Sequence, residues 1–214
     1  VGVFLSLIWI EAARAGLAVF VTVLAGIGVR EFYGIARAKG LEVQTVVGVA
    51  AGAMIAASGA FGRLEIVNAA LVCGIVVVVF LRLIRPDATM GSLMSSAGGL
   101  VYVGWTAAHF SLLHGMEGIG KGLVTLLIVA VALTDCGAYF VGKAIGKHKL
   151  APIVSPNKTW EGAIGGFAFT GISMAVLWKL CEAKGWESYP DWPVLQYFVV
   201  GAVLSVASQV GDLT

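Results

Sequence analysis

The sequence predicts an all-α fold: a polytopic transmembrane helix bundle with about seven to eight spans and short loops. Three observations predict it. Hydrophobic residues make up 59% of the 214, and the mean hydropathy is +0.94. Charged residues make up only 12%, about half of the roughly 25% typical of soluble domains. The apolar residues also fall into stretches close to the ~20 residues that cross a hydrocarbon core, with brief polar breaks between them. A chain so poor in charge cannot cover a soluble surface. This excludes a disordered chain, a disulfide scaffold and an ordinary cytosolic enzyme. The net charge of +2 gives no reason to expect a nucleic acid partner.

The elements follow in order. Residues 1–10 read as the tail of an earlier span. Full spans are expected near 15–29, 43–61, 64–81, 93–113, 122–142, 162–181 and 194–210, with polar residues such as Arg30, Arg63, Arg82, Lys121, Lys143 and Asp212 between or beyond them. The 29 glycines, nearly twice the average share, suit close helix approach in a membrane. Cys73, Cys136 and Cys181 lie far apart in apolar surroundings and read as buried apolar fillers. Segment 30–39, REFYGIARAK, is amphipathic. Phe32, Tyr33, Ile35 and Ala36 can face lipid there, or the segment is a solvated helix end. The whole of 1–214 is expected to form one integral-membrane domain. Both ends look cut, so a longer parent protein is expected.

Basic residues give the orientation. Arg30, Arg37, Lys39, Arg82, Arg85, Lys143, Lys147, Lys149 and Lys158 fall on one side. Arg14, Arg63, Lys121, Lys179 and Lys184 fall on the other. Nine against five places the first side in the cytoplasm, and with it the basic loop 143–161 and the end of the last span at Asp212.

Three features could carry chemistry. Asp135 lies in an otherwise apolar span, about 12 Å from its end at Lys143 by helical rise. A carboxylate there costs roughly 2.5–3.5 kcal/mol on insertion scales, so it needs a polar cavity or a partner. Ala138, Tyr139 and Gly142 share its face, and Gly142 with Gly146 forms a GxxxG step, which close helix packing explains equally well. The second feature is the loop KHKLAPIVSPNKTWEG. Ser155 before Pro156 reads as a helix cap and first turn, with Lys158 and Thr159 inside that turn. Such a helix start, with lysines and hydroxyls beside it, suits phosphate groups. The third is the last span, where Gly201, Ser205, Ser208 and Asp212 share one face as either a packing seam or a site wall. Two acids beside a phosphate-suited loop imply Mg²⁺-assisted chemistry on a phosphorylated substrate, because Mg²⁺ binds through one or two carboxylates plus substrate phosphates. A cation or proton transporter built on Asp135 is the rival from another class.

The run TDCGAYFVGKAIGKHKLAPIVSPNKTWEGAIGG resembles the phosphatidate cytidylyltransferases, also called CDP-diacylglycerol synthases. The matching positions are Asp135, Gly137, Ala138, Tyr139, Gly142, Gly146, Lys147, Lys149, Ser155, Pro156, Lys158, Thr159, Glu161, Gly162, Gly165 and Gly166. The closing SQVGDLT is similar to the family's S-x-x-G-D-L segment. The resemblance implies transfer of a cytidylyl group from CTP to phosphatidic acid, giving CDP-diacylglycerol and pyrophosphate, with Mg²⁺ as cofactor. It implies Asp212 and Asp135 at the metal, and Lys158 with these two acids as the catalytic set. It puts Lys147, Ser155, Lys158, Thr159 and Glu161 at the nucleotide, with Glu161 either touching it or orienting a lysine. Membrane lipids and a second copy of the chain are the further partners. The implied location is the bacterial inner membrane with the site facing the cytoplasm. The family's further signature, a Lys-Asp pair and a Gly-His-Gly-Gly…Asp-Arg stretch, follows the G-D-L segment and is absent from this chain, so the piece alone is expected to be inactive. A CTP-dependent lipid-alcohol kinase is the nearer rival.

Overall fold

The computed structural model describes residues 8–9 and 14–212. The expected tail at 1–10 lies outside these residues except for Ile8 and Trp9, which are helical. The chain divides into two compact units, Val1–Glu117 and Gly118–Thr214. The described residues form seven helices and one small hairpin.

In the first unit, α1 spans Arg14–Ala38, α2 spans Thr45–Ser58 and α3 spans Leu64–Leu83. A single 3₁₀ turn, Gly59–Phe61, ends α2, and Gly62 (φ +69°) supplies the left-handed residue that turns the chain into α3. Helix α4 starts as Met90–Gly99, winds as a π-helix over Leu100–Trp105 and continues as Thr106–His114. Thr89 and Ser92 cap its start reciprocally, the Thr89 hydroxyl accepting from the Ser92 N–H and the Ser92 hydroxyl from the Thr89 N–H. Ile55, Val67, Val78, Leu100 and Ala108 form the core. Arg82 is buried, and each of its three side-chain nitrogens is engaged. It donates to the Ser92 hydroxyl at 3.1 Å, to the Asp87 carboxylate at 3.0 Å and to the Asp87 carbonyl at 2.6 Å.

In the second unit, α5 spans Gly120–Ile145, α6 spans Trp160–Lys184 and α7 spans Val194–Gly211. Between α5 and α6 an antiparallel hairpin pairs β1, Lys149–Ala151, with β2, Ser155–Thr159, in the register Lys149↔Thr159 and Ala151↔Ser155. Helices α5 and α6 meet through small residues. A Cβ added to Gly162 would lie 2.8 Å from the Ala138 carbonyl, and one added to Gly166 would lie 2.8 Å from the Thr134 carbonyl. The hydroxyls of Thr134 and Thr170 hydrogen-bond across this contact at 2.8 Å. Leu126, Ala130, Met174 and Tyr197 fill the core below. The link from α6 to α7 is tied down by Trp178, whose indole N–H donates to the Trp192 carbonyl, and by Tyr197, whose hydroxyl donates to Pro190.

Among the described residues, five helices are long and apolar enough to cross a membrane: Ala15–Ala38 within α1, then α3, α5, α6 and α7. The apolar helix Thr45–Phe61 is shorter. The all-α, integral-membrane reading stands, and the seven expected spans each coincide with a helix.

Three details differ from the sequence reading. Ser155 and Pro156 do not start a helix; they open β2, and the helix begins at Trp160 behind a Thr159 cap. Proline has no N–H to donate, and a two-stranded hairpin is all edge, so Pro156 is tolerated there. Tyr33 does not face lipid. It is buried, and its hydroxyl donates to the Ser96 carbonyl at 2.6 Å. Only Cys181 is buried, whereas Cys73 and Cys136 are exposed on helix surfaces.

Candidate functional site

The site grows out of the way α5 ends. Gly146 leaves the helix with extended backbone (φ −64°, ψ 119°), and its N–H still reaches the Gly142 carbonyl at 3.0 Å. The chain then runs out along β1 and back along β2. The return strand docks on the same two glycines. A Cβ at Gly142 would stand 3.1 Å from the Thr159 hydroxyl, and one at Gly146 would stand 2.7 Å from it. The Gly142–Gly146 step therefore serves to seat the returning strand as well as α6. The Thr159 hydroxyl itself accepts the Gly162 N–H at 3.1 Å and so caps α6.

This seating places the hairpin over the end of α5 and beside the end of α7. A cavity of about 520 Å³ lies between them. Helix α5 contributes Asp135, Tyr139 and Lys143. The hairpin contributes Ser155, Asn157, Lys158 and Thr159. The end of α7 contributes Gln209 and Asp212. Lys158 Nζ lies 3.2 Å from Asp212 Oδ2. The two form an ion pair, although the ammonium makes no aligned hydrogen bond and is closed off from solvent. Asp135 lies within electrostatic range of both charges. Two carboxylates, Asp135 and Asp212, thus share a single concave space with the ammonium of Lys158, and Lys143 stands on the same lining.

Of the residues singled out from sequence, Asp135, Ser155, Lys158, Thr159 and Asp212 line this cavity. Lys147 and Glu161 do not. The Lys147 side chain is exposed. The Glu161 carboxylate is turned to the base of the hairpin. It accepts the backbone N–H of Lys147 at 3.2 Å and that of His148 at 3.2 and 3.3 Å, and it meets His148 Nδ1 at 2.6 Å.

The structure adds Asn157, Lys143 and Gln209 to the wall. Gln209 has a second task. Its side-chain amide donates to the Ala163 carbonyl and to the Ser205 hydroxyl, each at 3.2 Å, and so fastens α7 to α6 one turn before Asp212. Its spacing of three from Asp212 puts it on the same helical face, which is the one sequence signal that could have found it. The face Gly201, Ser205, Ser208, Asp212 is mainly a packing seam. Gly201 and Ser205 are buried, Gly201 against Met174, and the site begins only at Gln209.

The cavity's oxygen donors suit a hard cation. Among the described residues no group of three or more His, Cys, Asp or Glu gathers into a metal cage. Two carboxylates facing one space are the partial set that Mg²⁺ accepts when substrate phosphates and water complete its shell.

Comparison with known proteins bears on the chain as a whole. The cytidylyltransferase family matches the chain over residues 1–214. Over 117 residues, 55% of this chain, the sequence is 43% identical to a phosphatidate cytidylyltransferase of Brucella suis, covering 40% of that protein. Over 125 residues, 57% of this chain, it is 34% identical to a phosphatidate cytidylyltransferase of Staphylococcus aureus, covering 44% of that protein. The match thus takes in less than half the length of these relatives.

Proposed function

This chain belongs to the cytidylyltransferase family, and from that premise we propose that the protein carrying it transfers a cytidylyl group from CTP to phosphatidic acid. A phosphate oxygen of phosphatidic acid attacks the α-phosphorus of CTP. The bond from that phosphorus to the bridging oxygen breaks, and CDP-diacylglycerol and pyrophosphate result. The observation that carries this reading is the shared cavity in which Lys158 lies 3.2 Å from Asp212 and which Asp135 also lines.

Asp135 and Asp212 would hold Mg²⁺, which when bound draws negative charge off the triphosphate. Lys158 supplies a fixed positive charge for phosphate oxygens, and its ammonium, already shielded from water, interacts more strongly there than a solvated one would. Ser155 and Asn157 offer neutral donors beside it. The Thr159 hydroxyl, engaged as the cap of α6, holds the lysine's strand in place. The nine-to-five distribution of basic residues supports a site open to the cytoplasm, with the soluble nucleotide arriving from that side and the lipid from the bilayer. A bacterial inner membrane fits the two relatives, both bacterial.

The test uses the full-length protein in detergent with labelled CTP, dispersed phosphatidic acid and Mg²⁺. A labelled CDP-lipid is expected. A phospho-lipid made from a lipid alcohol would assign the site to a kinase instead. Absence of any CTP-dependent product, together with ion flux that disappears in Asp135→Asn, would assign it to transport.

A further inference from the structure

We propose that Glu161 is a positioning residue, which fixes the hairpin carrying Lys158 and makes no contact with the nucleotide. This rests on the cytidylyltransferase reading of the cavity and assigns a new role within it. A glutamate beside a triphosphate site has two obvious uses, as a metal ligand or as a contact to the sugar or base. The geometry points away from both. Glu161 is absent from the cavity wall, and both its oxygens are committed to the turn that leaves α5.

The commitment has a mechanical meaning. The hairpin is closed at its base from two directions. The Trp160 N–H donates to the His148 carbonyl at 2.9 Å, and Lys149 pairs with Thr159. Glu161 then gathers the Lys147 and His148 N–H groups and the His148 ring onto the first turn of α6. Lys158 is adjacent to this base, whereas the tip at Ile153 is 98% exposed and free of it. Loss of the carboxylate leaves two backbone N–H groups to find other acceptors and frees the base to shift. A shift of an ångström at Thr159 moves the lysine off its anionic partner. The electrostatics agree with the geometry. A bare carboxylate at the residue next to the cavity-lining Gly162 would repel a triphosphate, and here its charge is turned onto N–H dipoles and an imidazole.

The experiment is a double-mutant cycle on the full-length protein, with activity expressed per folded molecule from detergent size exclusion. Glu161→Ala alone is expected to lower kcat/KM for CTP roughly tenfold, a change of about 1.4 kcal/mol. In a Lys158→Met background the same substitution is expected to cost less than about twofold, because the group it positions is gone. Glu161→Gln keeps one acceptor oxygen and is expected to recover part of the loss. Should Glu161→Ala fail to fold, Glu161→Gln and His148→Ala run the same cycle. Equal losses in both backgrounds would overturn the proposal in favour of direct contact with substrate. A drop in thermal stability with unchanged kcat/KM per folded molecule would also overturn it, in favour of a purely structural role. A second readout needs no turnover. Hydrogen exchange by mass spectrometry is expected to speed up at amides 147–159 in the Glu161 variants and not in Asp212→Asn. If the wild-type protein makes no CDP-lipid, the cytidylyltransferase reading fails, while unchanged exchange in the Glu161 variants sinks the clamp itself.

Discussion

Asp212 and Lys158 lie more than fifty residues apart in sequence and meet at 3.2 Å, with the ammonium shielded from water. Asp212→Asn keeps the shape and removes the charge. It is expected to lower turnover by roughly 10² or more, with membrane insertion unchanged, as measured by product formation and membrane fractionation. Elsewhere, the Arg82 guanidinium hydrogen-bonds Asp87 and holds its carboxyl below the ordinary carboxylate range. A depressed folded-state pKa contributes stability that is fully present above the unfolded value. It is lost as pH falls through the lowered folded value. Melting curves of wild type and Asp87→Asn should therefore differ at neutral pH and converge in acid. At this scale three residues stand out in the sequence for different reasons: Asp135 because burying a carboxylate in an apolar span is costly, Lys158 because it sits in a phosphate-suited loop, and Asp212 because it ends the small polar face of the last span. Gln209 and the true partners of Glu161 were hidden, because a neutral amide carries no such cost and the Glu161 contacts depend on where the hairpin returns.

At the scale of elements, the seat of the site is the α5–α6 contact, in which backbones rather than side chains touch. Gly166→Val would force branched carbon into the Thr134 carbonyl. It is expected to destabilise the second unit by roughly 1–3 kcal/mol, read as loss of detergent-resistant folded protein. Thr159→Val is nearly isosteric but removes the cap of α6, at a cost of about 1 kcal/mol in thermal unfolding. The helices could be read from hydropathy, five of them because they are long and apolar enough to match the bilayer. The hairpin could not. Ser155-Pro156 and Thr159-Trp160 both resemble helix starts, and a short run between them carries too few residues for a periodicity. What decides is tertiary: Thr159 fits between Gly142 and Gly146 and caps from there, and the residues before it are left to pair with β1.

For the whole molecule, charge asymmetry and helix count together make a topology that can be tested. Lys147 and Lys184 lie at the two ends of the segment containing α6. Single cysteines placed there in a cysteine-free background should react with a membrane-impermeant maleimide from opposite faces of sealed vesicles. Labelling of both from the same face would contradict the assignment of α6 as a crossing helix. The π-turn in α4 has its own consequence at this scale. A π-turn is a regular helix with one residue too many. The wider turn over Leu100–Trp105 takes up that surplus, so deleting one residue there would restore even winding and leave the residues beyond it facing nearly the same way. Ala108, whose carbonyl faces Gly59, would keep its place. An extra residue in the regular winding that follows, with no wide turn to absorb it, would swing everything beyond it by about 100° around the axis, so shortening the bulge by one should be far better tolerated than lengthening the rod by one.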